Sequence, residues 1–453
     1  MPFYLLIFIL IFAPLAYGTT GPIAMTIVQS LVLSALLWVV VEAFLGRRKL
    51  YRPPCLLPLG LLGGLMLLQA VPLPPGLLKL ISPVTWLRYT DTVWQLQPDV
   101  WMPLTVNLQR TLEALLTFVT CCAFYFLACQ ILSNGRLQVR TVRVVAFFAS
   151  LYALLAILEA LAPNGQILWL LKPWPAYAGK PFGTFVNGNH YAGLMGMLLP
   201  LVIALFLAEK PLTRYGSWRE RTIDFITDPQ LDKHLLSGLG ALLIAVSIFL
   251  SLSRGGILST LGALLLFALL LLWKEQGHRR ALIMLLFVAA LFFAIGVFGW
   301  QPIFDAFARI RNLQGEISDG RLSYWQDCLA LWRDFPVLGS GFGSFIDSYA
   351  GYQTIFQGEH VVDHAHNDYV ELLTDAGLSG VLLALWVVFS MLRGTLPGLR
   401  RRRKAFSVLL YFGSLTGLSA LLLHSLTDFN LHIGANSLYF AFLGSLLVSA
   451  ATT

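Results

Sequence analysis

Long apolar runs broken by short polar stretches fill this chain. Twelve of them read as membrane spans, at residues 3–18, 22–45, 55–71, 111–132, 141–161, 190–208, 235–252, 257–273, 281–298, 378–396, 405–423 and 434–451. At about 1.5 Å per residue, most of these reach across a hydrocarbon core of about 30 Å. The shortest must thin the bilayer or lie shallow in it. The pattern predicts an all-α polytopic membrane protein with spans 1–9 in residues 1–298, a long loop over 299–377, and spans 10–12 in 378–453. Within the loop, Arg321 to Trp332 has helical spacing, with Leu322, Trp325, Leu329 and Trp332 on one face. Gly339, Gly341 and Gly343 follow in a Gly-Ser-Gly-Phe-Gly-Ser stretch. No strand precedes that stretch, so it reads as a turn and not as a phosphate loop. Residues 72–106, with Trp86, Trp94 and Trp101 among several prolines, read as a segment lying in the interface.

Composition strengthens this reading. The chain is 57% hydrophobic and only 12% charged, too little charge to cover a soluble protein of 453 residues. The net charge of +8 does not point to nucleic acid, because the basic residues sit in short clusters between spans. With the N-terminus placed in the cytoplasm and the spans alternating, one side receives Arg47, Arg48, Lys49 and Arg52; Arg136, Arg140 and Arg143; five residues from Lys210 to Lys233; Lys274, Arg279 and Arg280; and Arg393 with Arg400 to Lys404. That is 21 of the 31 Lys and Arg residues, which fixes the orientation by the positive-inside rule. The five cysteines form no disulfide framework.

The chemistry collects on the opposite side. Asn187, Asn189 and His190, Arg254, Arg321, the run His364-Ala365-His366-Asn367-Asp368, and His424 with Asp428 all fall there, from five separate stretches. No span carries an ionisable residue near its middle, whereas ion-coupled transporters keep such groups at the midplane. This placement argues for chemistry at one face and against transport.

Arg254 lies in Ser251-Leu252-Ser253-Arg254-Gly255-Gly256, between two apolar runs. Its planar fork suits phosphate oxygens, and the glycines admit a lipid diphosphate to the backbone; the plainer reading is an arginine snorkelling to headgroups. Arg321 is either a second phosphate ligand or a solvated helix-start residue. His366 has three readings: a general base working near neutral pH, one arm of a divalent-metal site with His364, Asp363 and Asp368, or a structural histidine. The metal reading lacks a standard ligand spacing, and the base is the role expected. A helix running from His366 would put His366, Val370, Leu373 and Gly377 on one face, away from Asp368, Glu371 and Asp375. His190 and its asparagines could simply cap a span, and His424 with Asp428 reads as a local pair closing the last hairpin.

These residues resemble the O-antigen ligase/polymerase superfamily of bacterial envelope enzymes. Its ligases carry a His, then Asn, Ser or Gln, then nine residues and Gly-x-x-Gly, which here is His366, Asn367, residues 368–376, Gly377 and Gly380. Ser253-Arg254-Gly255 is similar to the family's Ser-Arg-Gly turn, and Arg321 to its loop arginine. Phe185, Asn187 and Asn189 resemble its Phe-x-Asn-x-Asn stretch, and Asp428-Phe429 the Asp-Phe before its last span. The resemblance covers about the last two-thirds of the chain in scattered motifs.

The resemblance implies a GT-C-like glycosyltransferase of the bacterial inner membrane with its active site facing the periplasm. The donor would be a glycan on undecaprenyl diphosphate. The acceptor would be the lipid A–core sugar in a ligase, another lipid-linked glycan in a polymerase, or a protein hydroxyl in a third branch. His366 would be catalytic, and Arg254 and Arg321 would bind the diphosphate in place of a metal. Asn187, Asn189, His190, His364, Asn367, Asp368 and Asp428 would bind or orient substrate. No cofactor is expected. The rival class is a carrier of lipid-linked sugars.

Overall fold

The computed structural model describes residues 1–98, 100–164, 166–169, 181–209, 231–274, 321–354 and 361–452, with isolated positions between 217 and 289. Its long helices are α1 (Pro2–Leu15), α2 (Pro22–Phe44), α3 (Leu56–Ala70), α4 (Leu108–Leu132), α5 (Gly135–Leu161), α6 (Gly188–Ala208), α7 (Leu231–Leu250), α8 (Arg254–Trp273), α9 (Arg321–Asp334), α10 (Asp368–Arg401), α11 (Ala405–His424) and α12 (Gly434–Thr452). The only strand pair among the described residues is a two-residue one, Pro72–Leu73 against Met102–Pro103.

Nine of these helices are long and apolar enough to cross a membrane, and α1 and α3 are shorter apolar helices. The protein is thus an all-α polytopic membrane protein. Eleven of the expected spans fall on described helices, and the twelfth, 281–298, lies outside the described residues save for isolated positions.

Helix α6 is the core of the bundle, with nearly all of its apolar window buried. It lies against α11 because glycine lets the two backbones touch. A Cβ on Gly417 would sit 2.4 Å from the Met197 carbonyl oxygen, and one on Gly413 would sit 2.9 Å from that of Pro200. Small residues at a helix crossing are the usual means of close packing inside a bilayer. At the other extreme, α10 turns Leu378, Leu382, Leu385 and Phe389 outward, the side chains of a helix facing hydrocarbon.

The two ends of the bundle differ chemically. One end holds the Arg143–Glu209 ion pair at 2.8 Å and Arg402 bonded to the Ala451 carbonyl. The other gathers the N-termini of α6, α8 and α10 and the α11–α12 connection, where the histidines lie.

Helix α10 joins the helix expected from His366 to the span expected from 378 in one element. It begins at Asp368, ten residues ahead of the expected span, and contains a break at Gly377, whose φ is +61 and ψ −165. At about 1.5 Å per residue its 34 residues measure about 50 Å, more than the hydrocarbon needs. By length and composition, the apolar part beyond Gly377 suffices to cross the core without the polar-rich part before it. The glycine-rich turn clamps the break. Leu378 and Ser379 donate backbone hydrogen bonds to the Pro336 and Val337 carbonyls, while Ser340 and Gly341 donate to those of Thr374 and Asp375. The Gly343 N–H donates to the Asp375 carboxylate at 2.7 Å. Buried Gln69 of α3 donates to the Leu338 and Asp375 carbonyls and accepts from the Phe342 N–H. The three glycines therefore serve the fold, as a turn whose backbone closes the hydrogen bonds that the broken helix leaves open.

Candidate active site

The histidine motif is held from three sides. Asn367 is the N-cap of α10, its side chain accepting from the Tyr369 and Val370 N–H groups. Because the cap comes after His366, that residue is off the helix, at φ +49 in the left-handed region. It does not share a face with Val370, Leu373 and Gly377 as the helical reading expected. The second support is Trp325 of α9, which donates its indole N–H to the Ala365 carbonyl at 3.0 Å. The third is Asp368, which accepts from the Ser425 hydroxyl at 2.5 Å and the Leu431 N–H at 3.1 Å. The Asp368 N–H in turn donates to the Ser425 carbonyl. Asp368 thereby ties the start of α10 to the α11–α12 connection.

Phe429 is the hub of the cluster. The rings of His364, His366 and His190 lie 4.1, 5.0 and 4.9 Å from its centroid. The Asp428 carboxylate beside it is fully buried. Its Oδ1 is 3.5 Å from His366 Nδ1 and 3.8 Å from His190 Nε2. Burial opposes its charge, but the His366, His190 and His424 rings outweigh that and hold the carboxyl well below its usual range. His366 Nδ1 is buried although its side chain is 30% exposed, which leaves Nε2 as the nitrogen for an incoming molecule.

Arg254 arrives from α8. Ser253 caps that helix by accepting from the Gly256 N–H, so Arg254 is its first residue. The next residue, Gly255, is pressed against the site: a Cβ there would lie 2.4 Å from Thr427 Oγ1 and 2.9 Å from the His424 ring. Arg254 thus stands at the helix N-terminus beside the His424–Asp428 turn, where backbone N–H groups and the helix dipole favour an anion.

A second histidine pair sits alongside. His364 Nδ1 is 2.7 Å from buried Glu371 Oε1, and the Ala365 N–H donates to Oε2. His432 lies between carboxylates, with Nδ1 3.0 Å from Asp368 and Nε2 3.2 Å from Glu371. His364, Glu371 and His432 approach closely enough to suggest a cation site. The 2.7 Å separation is that of a hydrogen bond and is tighter than two ligands sit around a metal, so we read the trio as a hydrogen-bonded network.

His432, in the connection outside the spans, has an unusual acidity. Partial burial works against its charge, with 34% of the side chain still exposed, but the carboxylates of Glu371, Asp368 and Asp375 prevail and push its pKa up to about 10. An unfolded histidine titrates near 6.5. The protonated ring therefore stabilises the fold in full below about 6.5, and that contribution is lost as pH rises through about 10. The Tm of the detergent-solubilised protein is expected to fall across this window, and to fall less steeply in His432→Gln. Parallel profiles would contradict the assignment.

Residues 239–385 match the family model described as O-antigen ligase. That match, over about a third of the chain, supports membership of the O-antigen ligase/polymerase superfamily. The match takes in the Ser-Arg-Gly turn, α9, the glycine clamp, the histidine motif and the break in α10. No curated protein matches the chain. The matched family implies a glycan-transferring activity of the ligase/polymerase type on lipid-linked glycans, and the apolar helices fit a membrane setting.

The ligase domain's own segment does not complete the site, because His190 comes from α6 and Asp428, Phe429 and His432 from the α11–α12 connection. Of the residues expected from sequence, His190, His364, His366, Asn367, Asp368 and Asp428 meet here, and Arg254 stands beside them. Asn187 caps α6 by accepting from the Asn189 N–H, one turn from His190. Arg321 begins α9, one turn before Trp325; its side chain lies outside the described residues. His432 and Phe429 were not expected as a histidine partner and a hub. The only sequence signal was a cluster of polar residues, Asp428, Asn430 and His432, in a connection where a plain hairpin needs none.

Proposed function

We propose that this enzyme moves a glycan from undecaprenyl diphosphate to an acceptor hydroxyl at the periplasmic face of the bacterial inner membrane, as an O-antigen ligase whose acceptor is the lipid A–core. The observation that carries the chemistry is the His366–Asp428 pair: a partly exposed imidazole with one nitrogen turned to a buried carboxylate. Asp428 orients the ring and stabilises the imidazolium that forms when Nε2 takes a proton, a division of labour known from hydrolytic triads. His366 Nε2 receives the acceptor's hydroxyl proton as its oxygen attacks the anomeric carbon. The bond from that carbon to the diphosphate breaks, and undecaprenyl diphosphate leaves with the electron pair. One displacement from the opposite side inverts the anomeric centre.

The leaving group needs positive charge, which Arg254 and Arg321 supply with the N-terminus of α8. Arg254→Lys keeps the charge but loses the two-pronged geometry. We expect the transfer rate to fall about ten- to a hundredfold, the cost of one charged hydrogen bond of about 1.5–3 kcal/mol. An unchanged rate would remove Arg254 from the diphosphate site.

The test of the whole reading is the product. Purified protein is incubated with lipid-linked glycan, with and without lipid A–core. Glycan on the core supports the ligase. Longer lipid-linked chains without the core mean a polymerase, and glycolipid crossing a vesicle wall with no new glycosidic bond means a carrier.

A further inference from the structure

Both ring nitrogens of His432 face carboxylate oxygens: Nδ1 faces Asp368 at 3.0 Å and Nε2 faces Glu371 at 3.2 Å. Asp368 already accepts from the Ser425 hydroxyl and the Leu431 N–H, and Glu371 from the Ala365 N–H. Each carboxylate takes several donors and so acts as an acceptor only. Nδ1 makes a hydrogen bond to Asp368, and Nε2 lies at ion-pair distance from Glu371, so two carboxylates on opposite edges of the ring favour its doubly protonated, cationic form. Glu371 Oε1 is also 2.7 Å from His364 Nδ1, so that nitrogen carries a hydrogen too. His364 is then left with Nε2 as its lone-pair nitrogen. Its ring is stacked on Phe429 at 17°, next to His366 on the same phenyl.

We propose that His432 is a standing imidazolium and a positioning residue: acting through Glu371, it locks His364 in the Nδ1–H form with Nε2 presented as a second acceptor for a substrate hydroxyl. The substrate class that fits is a polyhydroxylated sugar, which offers one hydroxyl to His366 for proton transfer and a neighbouring one to His364 for alignment. This assignment of the sugar rests on the transferase reading; the protonation states do not. Among the described residues, the charges facing His432 come from α10 and the loop ahead of it. Asp368, Glu371 and Asp375 are the carboxylates, and His364 is the neighbouring base at 4.9 Å between ring centroids. Two acidic groups already bind this cation at close range, so it is not a free charge for the diphosphate. Its effect is to keep buried Glu371 ionised and pointed at His364.

The test uses the full chain in nanodiscs with ¹⁵N-labelled histidine. At pH 8.5, where an ordinary histidine is neutral, the wild-type spectrum should contain one ring with both nitrogens protonated. That signal should vanish in His432→Gln. Absence of any such ring in the wild-type protein overturns the proposal without recourse to a variant. So does a stoichiometric bound metal ion in the purified protein, which would need the same nitrogens unprotonated. In the transfer assay His432→Gln should raise the KM for acceptor several-fold more than it lowers kcat, and His364→Gln should do the same. If both variants lower kcat alone, the alignment role is overturned. Should no transfer be detected at all, the transferase reading fails while the spectrum still decides the state of His432.

Discussion

Replacing His366 by alanine is expected to lower glycan transfer by about 100- to 10,000-fold, the usual contribution of a positioned general base. The protein should still insert and unfold at nearly the wild-type Tm, because the ring is partly exposed and its contact to Asp428 is a long 3.5 Å. Asp428→Asn should follow with a smaller loss, since the amide keeps the volume but cannot stabilise the imidazolium. Asp428 also accepts its neighbour's N–H, from Phe429 at 2.9 Å, so that variant needs a Tm control. Transfer by His366→Ala at the wild-type rate would rule out the base role. Transfer lost together with folding would show that the ring is structural.

Gly377→Ala should strongly destabilise the fold. The residue sits at φ +61 and ψ −165, a region that only glycine visits freely, and a Cβ there would lie 2.4 Å from the backbone of Val337. Neither atom is the end of a flexible side chain. Strain of about 1–3 kcal/mol adds to overpacking of about 1–3 kcal/mol, so a loss of about 2–6 kcal/mol is expected. Yield of folded protein and Tm in detergent measure it. Gly64→Ala in α3, where a Cβ meets nothing within 4 Å, is the matched control and should be close to neutral. Equal behaviour of the two variants would mean that the clamp on α10 is not what sets its break.

The sequence made the helices legible because hydrocarbon thickness dictates run length, and eleven expected spans coincide with described helices. It also placed the polar stretches at one end, since alternation of spans converts chain order into sidedness. It anticipated a helix running on from His366 but not that this helix would be one element with the span expected from 378; the cap at Asn367 starts it at Asp368 and leaves His366 off it. The role of Gly339, Gly341 and Gly343 was hidden because a turn's partner is a tertiary fact. His432 and Glu371 were missed as a pair because 61 positions separate them in the chain while 3.2 Å separates their atoms.

The broken rod α10 has a mechanical consequence. One continuous element carries the bilayer-crossing stretch and, just ahead of its first residue, the loop of His364 and His366. Lipids of different thickness change the tilt of an apolar helix that faces them. A loose hinge at Gly377 would absorb that tilt, but here the joint is stiffened by backbone bonds on both sides and by Gln69 from α3. Tilt imposed by the surrounding lipid is therefore delivered to the imidazoles as a change of aim, and acyl-chain length becomes a dial on turnover.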